Sequence, residues 1–307
     1  MHKFVFLCKT YHKDLSRVLN LITSYVKHNK ENIPLYISVS QNDYNLFKSS
    51  IDTAKVHLII DESITNNIFV EQSGDFSKGY MNQQIIKLNF WKLNLCDSYM
   101  CLDSDSYFIK DFYLSDFLSE DGTPYTVLYQ DKESSLNPVS ANYQADFIDK
   151  IKIIQDSLGF QDRRYLSCCG FAIFSCKVLK SFEEKYLIPN NLNYCDILKK
   201  VPLEFSWYNQ WLLKDKTVKI YPIEQLFKIF HYKSQYSDAQ KKLISESDIA
   251  KCYIGICMNS NWYPFAPPLK YKNPYRISFC IYNLKNKLLK RFFKSFRGII
   301  RYLNKNP

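Results

Sequence analysis

The first hundred residues alternate short apolar runs with stretches whose apolar residues recur every three or four positions, and this restricts the fold more than any other feature. The runs "KFVFLC" (3–8), "PLYISVS" (34–40), "KVHLII" (55–60) and "SYMCL" (98–102) read as strands. Between them, "DLSRVLNLITSYVKH" (14–28) sets Leu15, Val18, Leu19, Ile22 and Val26 on one helical face, with Asp14 near its start. "DYNLFKSSI" reads as a short helix. "YMNQQIIKLNFWKLNLC" (80–96) reads as a longer one, packing Met81, Ile85, Leu88, Trp91 and Leu95. Strands alternating with helices predict an α/β fold with a Rossmann-type, mostly parallel sheet flanked by helices. In such sheets ligands bind beyond the carboxyl ends of the strands.

The chain has 307 residues, enough for one large domain or two small ones. Its ten cysteines include an adjacent pair, Cys168 and Cys169, but no C-x-x-C and no Cys/His cluster. Several lie in apolar runs, where cysteine acts as a small hydrophobe, so a reducing cytoplasm is expected. The apolar residues at 4–8 are too few for a signal-peptide core, and no run approaches the roughly 20 residues of a membrane span. The net charge of +11 is unevenly placed. From Lys270 to Pro307 there are eleven Lys and Arg and no acidic residue, so 1–269 holds thirty of each sign and is neutral.

The strand at 98–102 runs straight into Asp103-Ser104-Asp105. At a strand end, residues i and i+2 project to the same side. Two carboxylates beside a low-dielectric core are costly unless they stay wet or hold a cation. A solvated turn satisfies the first condition. Mg²⁺ or Mn²⁺, shared between one or two carboxylates and substrate phosphates, satisfies the second.

Four stretches in order, "KTYHKDLSRVLNLITSY", "GYMNQQIIKL", "CLDSDSYF" and "LEFSWYNQWLL" (203–213), resemble a GT-A-fold glycosyltransferase, more narrowly a bacterial surface-polysaccharide (lipopolysaccharide or capsule) transferase. The resemblance implies a GT-A-like domain over 1–269, with Asp103 and Asp105 binding Mn²⁺ or Mg²⁺ and the diphosphate of a nucleotide-sugar donor, most naturally UDP-linked. It implies that Thr10 and Tyr11, after the first strand, meet base and ribose, where an ordinary loop is the competing reading. Asp43 either contacts base or ribose or caps a helix. Gln83 and Lys87, four apart, share a helical face on which Lys87 can meet the donor phosphates or stay in water, while Gln84 points a different way and is the alternative to Gln83.

Past the motif, Gly170 in "YLSCCGFAIFS" (165–175) either borders an acceptor pocket or marks a bulge. Glu204 is a lone carboxylate among apolar and aromatic residues, a setting that raises pKa and suits a general base for an inverting transfer. A first-turn glutamate favoured by the helix dipole fits the same position. Trp207 and Tyr208 can stack on a sugar or fill core. "LFKIFHYKS" (226–234) reads as a strand with His231 near its end, the residue that the resemblance makes the third metal ligand, with Lys233 near the diphosphate.

The segment 282–305 places Leu284, Leu288, Phe292, Phe296, Ile299 and Leu303 at helical spacing among lysines and arginines. This is the pattern of a basic amphipathic helix lying on an anionic membrane, reached through a proline-containing linker at 261–274. The combined expectation is a peripheral enzyme on the cytoplasmic face of a bacterial inner membrane, acting on a glycan or lipid-linked glycan and not on nucleic acid. Two other readings are a nucleic-acid-binding protein using the basic tail and a non-catalytic assembly subunit on a degenerate transferase fold.

Overall fold

The computed structural model describes residues 1–69, 76–129, 138–163 and 171–259. The linker, the amphipathic tail and Gly170 lie outside them. A five-stranded sheet forms the centre, in the order β3-β2-β1-β4-β7. Its strands are β1 (His2–Lys9), β2 (Leu35–Val39), β3 (His57–Ile60), β4 (Cys96–Leu102) and β7 (Ile173–Ser175). The first four run parallel, and only β7 runs antiparallel, against β4. The connections between the parallel strands carry α1 (Leu15–His28), α2 (Gln41–Ser50), the single turn α3 (Asp61–Ile64) and α4 (Lys78–Asn89). The mixed, mostly parallel sheet flanked by helices is therefore the one the alternation predicts.

β5 (Ser106–Phe108) leaves the central sheet and joins a small one, in the order β5-β10-β9, with β9 (Phe227–Phe230) and β10 (Gly255–Met258). β6 (Thr126–Val127) pairs with β8 (Pro222–Ile223). The remaining helices are α5 (Pro138–Leu158), α6 (Cys176–Phe182), α7 (Tyr194–Lys200), α8 (Glu204–Asp215), α9 (Lys233–Lys241) and α10 (Glu246–Ile249). Alternation along β1 and β4 divides the core. Phe4, Phe6, Met100 and Leu102 face α1 and the small sheet. Val5, Leu7, Tyr99 and Cys101 face α4, α6 and α8. No helix among the described residues is long and apolar enough to cross a membrane, and the cysteines described there are all free thiols.

Three local expectations shift. The buried face of α1 is Val18, Leu21, Ile22 and Tyr25, while Leu19 and Val26 are exposed. Tyr25 sets this rotation, because its ring meets Phe6 edge-on and its hydroxyl donates to the Ile33 carbonyl. The helix expected over 80–96 begins at Lys78 and ends at Asn89. A 3-10 turn over Phe90–Leu93 and a left-handed Asn94 (φ 55°) then turn the chain into β4, an ending that asparagine tolerates better than most residues. The strand expected over 226–234 stops at Phe230 because the Gln235 side chain accepts from the His231 and Tyr232 amides and starts α9.

Candidate active site

Parallel strands end on one edge, and that edge collects the polar residues. β1 ends at Lys9, β3 at Ile60 and β4 at Leu102, so Thr10, Asp61 and Asp103 follow their strands directly. α4 and α8 pack beside β4 on the same face. α4 brings Lys87, and Glu204 is the first residue of α8, where the helix dipole favours a carboxylate.

These elements build one cluster. Lys87 Nζ lies 3.0 Å from Asp103 Oδ1 and 3.2 Å from Glu204 Oε1. The lysine is only 2% exposed, and its ammonium sits 4.9 Å from the centroid of the Phe205 ring. Tyr99 anchors the helix to β4 by donating to the Lys87 carbonyl at 2.6 Å. One turn earlier, Gln84 accepts from the Glu204 amide at 3.2 Å. Burial pulls the Lys87 pKa down, but Asp103 and Glu204 outweigh it and hold the group well above its ordinary value. Burial pushes the Glu204 carboxyl up, and Lys87 offsets part of that rise. The ammonium therefore stays charged and acts as the internal counter-ion of two carboxylates. Asp103, with 34% of its side chain exposed, is the member that reaches the surface.

The Asp-Ser-Asp turn is pinned from two sides. Ser104 Oγ donates to Asp14 Oδ2 at 3.0 Å, and Asp14 is paired with Arg17. The Asp103 carbonyl accepts from Ser106 Oγ at 2.6 Å and Ser106 N at 3.1 Å. On the far side, the Asp105 carbonyl accepts from Met258 N at 3.0 Å and Cys257 Sγ reaches Asp105 Oδ1 at 3.2 Å. Ser104 and Ser106 are buried while Asp103 and Asp105 are partly exposed; the two carboxylates lie in a turn past the end of β4, Asp103 meeting Lys87 and Asp105 meeting Cys257.

His231 follows β9, and β10 lies between β9 and β5. The histidine and the Asp105 turn thus share an edge of the small sheet, separated by two strand spacings, roughly 10 Å. Among the described residues no group of three or more His, Cys, Asp or Glu side chains is placed to hold a metal ion. The motif carboxylates supply hard oxygen donors of the kind that Mg²⁺ and Mn²⁺ take, so their chemistry fits such a cation. A complete shell of protein ligands is not assembled, and phosphate oxygens of a substrate would have to supply part of it.

The other candidates are spread along the same edge. Thr10 is buried, its amide donates to the Ser38 carbonyl at 2.9 Å, and its Oγ1 has no hydrogen-bond partner among the described residues. Tyr11 is exposed with its ring edge-on to His12. Asp43 lies inside the first turn of α2, whose N-cap is Ser40, so it does not cap the helix. Instead it accepts from His12 N and meets His12 Nδ1, both at 3.1 Å, tying the loop after β1 to α2. Gln83 is half-buried on α4, and Lys233 is an exposed first residue of α9. Trp207 and Tyr208 are core. Trp207 Nε1 donates to the Val201 carbonyl at 2.9 Å, and the Tyr208 hydroxyl accepts from Ser175 N at 2.8 Å.

Two groups escape sequence reading. Asp14 reads as a helix start, yet it is a buried support of the motif. Asp61 takes Lys9 at 2.8 Å and the Ser38 hydroxyl at 2.6 Å, joining the ends of β1, β2 and β3. In sequence, only the position of Asp61 directly after an apolar strand signals it.

Residues 5–141 match the model of a family of unknown function, DUF6492. No curated protein matches the chain. Among solved structures, the chain is similar to the crystal structure of mouse xyloside xylosyltransferase 1 in its apo form, with a TM-score of 0.47 and 10% identity. That match covers 86% of this chain and 99% of the mouse chain.

Proposed function

We propose that this protein is a glycosyltransferase that moves a sugar from a nucleotide-sugar, UDP-linked by preference, to a glycan or lipid-linked glycan acceptor of the lipopolysaccharide or capsule type. The observation that carries the reading is the convergence of Asp103, Lys87 and Glu204 at the carboxyl edge of a parallel sheet, where such folds bind ligands. Thr10 and Tyr11 after β1 and Asp43 in the first turn of α2 would meet base and ribose. Asp103 and Asp105 would hold Mn²⁺ or Mg²⁺, with His231 as a further ligand and Lys233 as a second cation for the diphosphate. When bound, the cation would neutralise charge on the departing diphosphate.

In the transfer, an acceptor hydroxyl attacks the anomeric carbon, its C–O bond forms as the bond to the diphosphate breaks, and configuration inverts. Glu204 takes the hydroxyl proton. Its burial gives it the raised pKa of a useful base, while Lys87 keeps it ionised beforehand. Lys87 holds the carboxylate directly and Gln84 holds the backbone amide of the same residue, so little reorganisation remains for the reaction itself.

The basic tail would hold the enzyme on the cytoplasmic face of the membrane. The test of the reading is a nucleotide-sugar screen by thermal stabilisation with and without Mn²⁺, followed by transfer assays of wild type and Glu204→Gln. At least one UDP-sugar should stabilise both proteins in a Mn²⁺-dependent way, and turnover should fall by about 10²–10⁴ in the variant. Stabilisation by no nucleotide-sugar, or normal turnover in the variant, removes the proposal.

A further inference from the structure

At the opposite, amino end of the sheet, the face that packs on α1 is interrupted. On β4, Met100 and Leu102 are apolar and buried, yet the position that continues their row is Ser98. On β7, Ser175 pairs directly with Ser98, where Ile173 and Met100 form the apolar rung above it. Two buried hydroxyl residues thus replace the last apolar rung. They form the floor of a cleft of about 740 Å³ walled by the segment 114–125, with Lys3, Asp97 and Lys177 on its other side.

The wall is prebuilt. The single hydroxyl proton of Ser119 is shared between Asp121 Oδ1 at 2.6 Å and the Thr123 carbonyl at 2.9 Å, and Thr123 N donates to Asp121 Oδ1 at 3.0 Å. Gly122 has φ +78°, so the turn needs a residue without a side chain there. Tyr221 and Lys219 clamp the other Asp121 oxygen at 2.9 and 3.2 Å. These donors, Ser119 and Thr123 first, hold the Asp121 carboxyl well below its usual range. A wall fixed in this way loses little entropy when a ligand arrives.

The rim carries both signs. Among the described residues Lys3, Asp97, Glu120 and Lys177 form no ion pair with one another or with any other residue. A strongly charged ligand would meet repulsion from half of these groups, whereas hydroxyl groups can donate to the carboxylates and accept from the ammoniums. Tyr125 adds a half-buried aromatic ring. The size lies within the usual range for a small-molecule site. The floor is five strand residues from Asp103, roughly 17 Å, so the cleft is separate from the edge where Lys87 sits.

We infer that this cleft is a second, non-catalytic binding site for a neutral saccharide of two or three units. The inference stands apart from the reaction proposed at the Lys87 cluster.

Saturation-transfer NMR on the full chain tests it, using a panel of neutral di- and trisaccharides of glucose, galactose, xylose and N-acetylglucosamine. At least one should give transfer signals that persist in Glu204→Gln with excess UDP. Ser115→Trp, a change at an exposed residue of the rim, should reduce those signals at least fivefold, and Ser98→Leu should do the same by filling the floor. Should Ser98→Leu fail to fold, Ser115→Trp decides alone. Signals from no panel member, signals unchanged in folded Ser115→Trp, or signals abolished by UDP in Glu204→Gln would each overturn the site.

Discussion

Lys87 Nζ and Glu204 Oε1, 117 residues apart in sequence, meet at 3.2 Å inside the protein, and the same ammonium holds Asp103 at 3.0 Å. Neither carboxylate is therefore placed against the core without a counter-charge. Lys87→Met keeps most of the volume and removes the charge. Leaving an uncompensated buried carboxylate costs roughly 3–5 kcal/mol, and the loss should appear as a lower urea midpoint at neutral pH. The Glu204 pKa, already raised by burial, rises further in the variant. Stability tied to a raised carboxyl pKa is present at low pH and is lost as pH climbs through the folded value. The deficit of Lys87→Met should therefore shrink as pH falls toward 5. A deficit that does not change with pH would place the effect in packing and not in charge.

Asp61 gives a second pH signature on the same edge. Burial raises its pKa, and Lys9 and Ser38 offset only part of that rise. Its contribution is complete below the unfolded carboxyl value of about 4 and declines as pH rises through the higher folded one. Between pH 4 and the folded value, wild type should lose stability from this group, whereas Asp61→Asn should lack that slope even though its overall stability is lower without the Lys9 pair. Urea midpoints of both proteins over pH 3.5–6.5 measure the difference. Parallel curves would show that Asp61 has the same pKa folded and unfolded.

Much of the site was legible because periodicity and strand ends are local signals. The apolar run before Asp103 placed it at the carboxyl edge, and helical spacing put Lys87 on one face with Gln83, as a phosphate contact or a solvated lysine. The lone carboxylate in "LEFSWYNQWLL" marked Glu204. Contacts across long separations were not legible. Ser104 reaches Asp14 across 90 residues, and nothing in either neighbourhood announces the bond. Lys87 shows the same limit, since its position on α4 was readable while its role as a buried counter-ion depends on two distant carboxylates. Trp207 and Tyr208 failed as sugar-stacking candidates because an aromatic pair on a helix looks alike whether it faces a cleft or, as here, the core.

The basic segment from Lys270 onward yields a prediction from charge alone. Eleven basic residues and no acid, with apolar residues at helical spacing, should bind liposomes containing anionic lipid. Removing 276–307 should abolish co-sedimentation with such vesicles. Binding of the full chain should weaken as salt rises from 0.05 to about 0.5 M, because the charge attraction is screened. Equal sedimentation of both proteins would assign membrane binding, if any, to the rest of the chain.

The sharpest packing prediction concerns Gly255 at the start of β10. A Cβ added there would lie 2.1 Å from Cε1 of Phe227 and 2.4 Å from its Cδ1. Phe227 cannot simply move aside, since its ring is fully buried, stacks on Phe171 at 4.4 Å and meets Phe108 at 5.3 Å. Gly255→Ala must therefore displace either the ring or the strand, at a cost of roughly 1–3 kcal/mol for an overpacked core. The consequence reaches the motif, because β10 also supplies the Met258 amide and the Cys257 thiol that hold Asp105. The variant should show a lower thermal midpoint and, under the proposed function, weaker Mn²⁺-dependent donor binding. Phe227→Leu alone loses ring contacts, but in the double variant it should make room for the new methyl. A double-mutant cycle should then give a favourable coupling above about 0.5 kcal/mol. Additive losses would mean that β10 shifts as a unit, in which case donor binding should fall in both Gly255→Ala and the double variant while Phe227→Leu alone retains it.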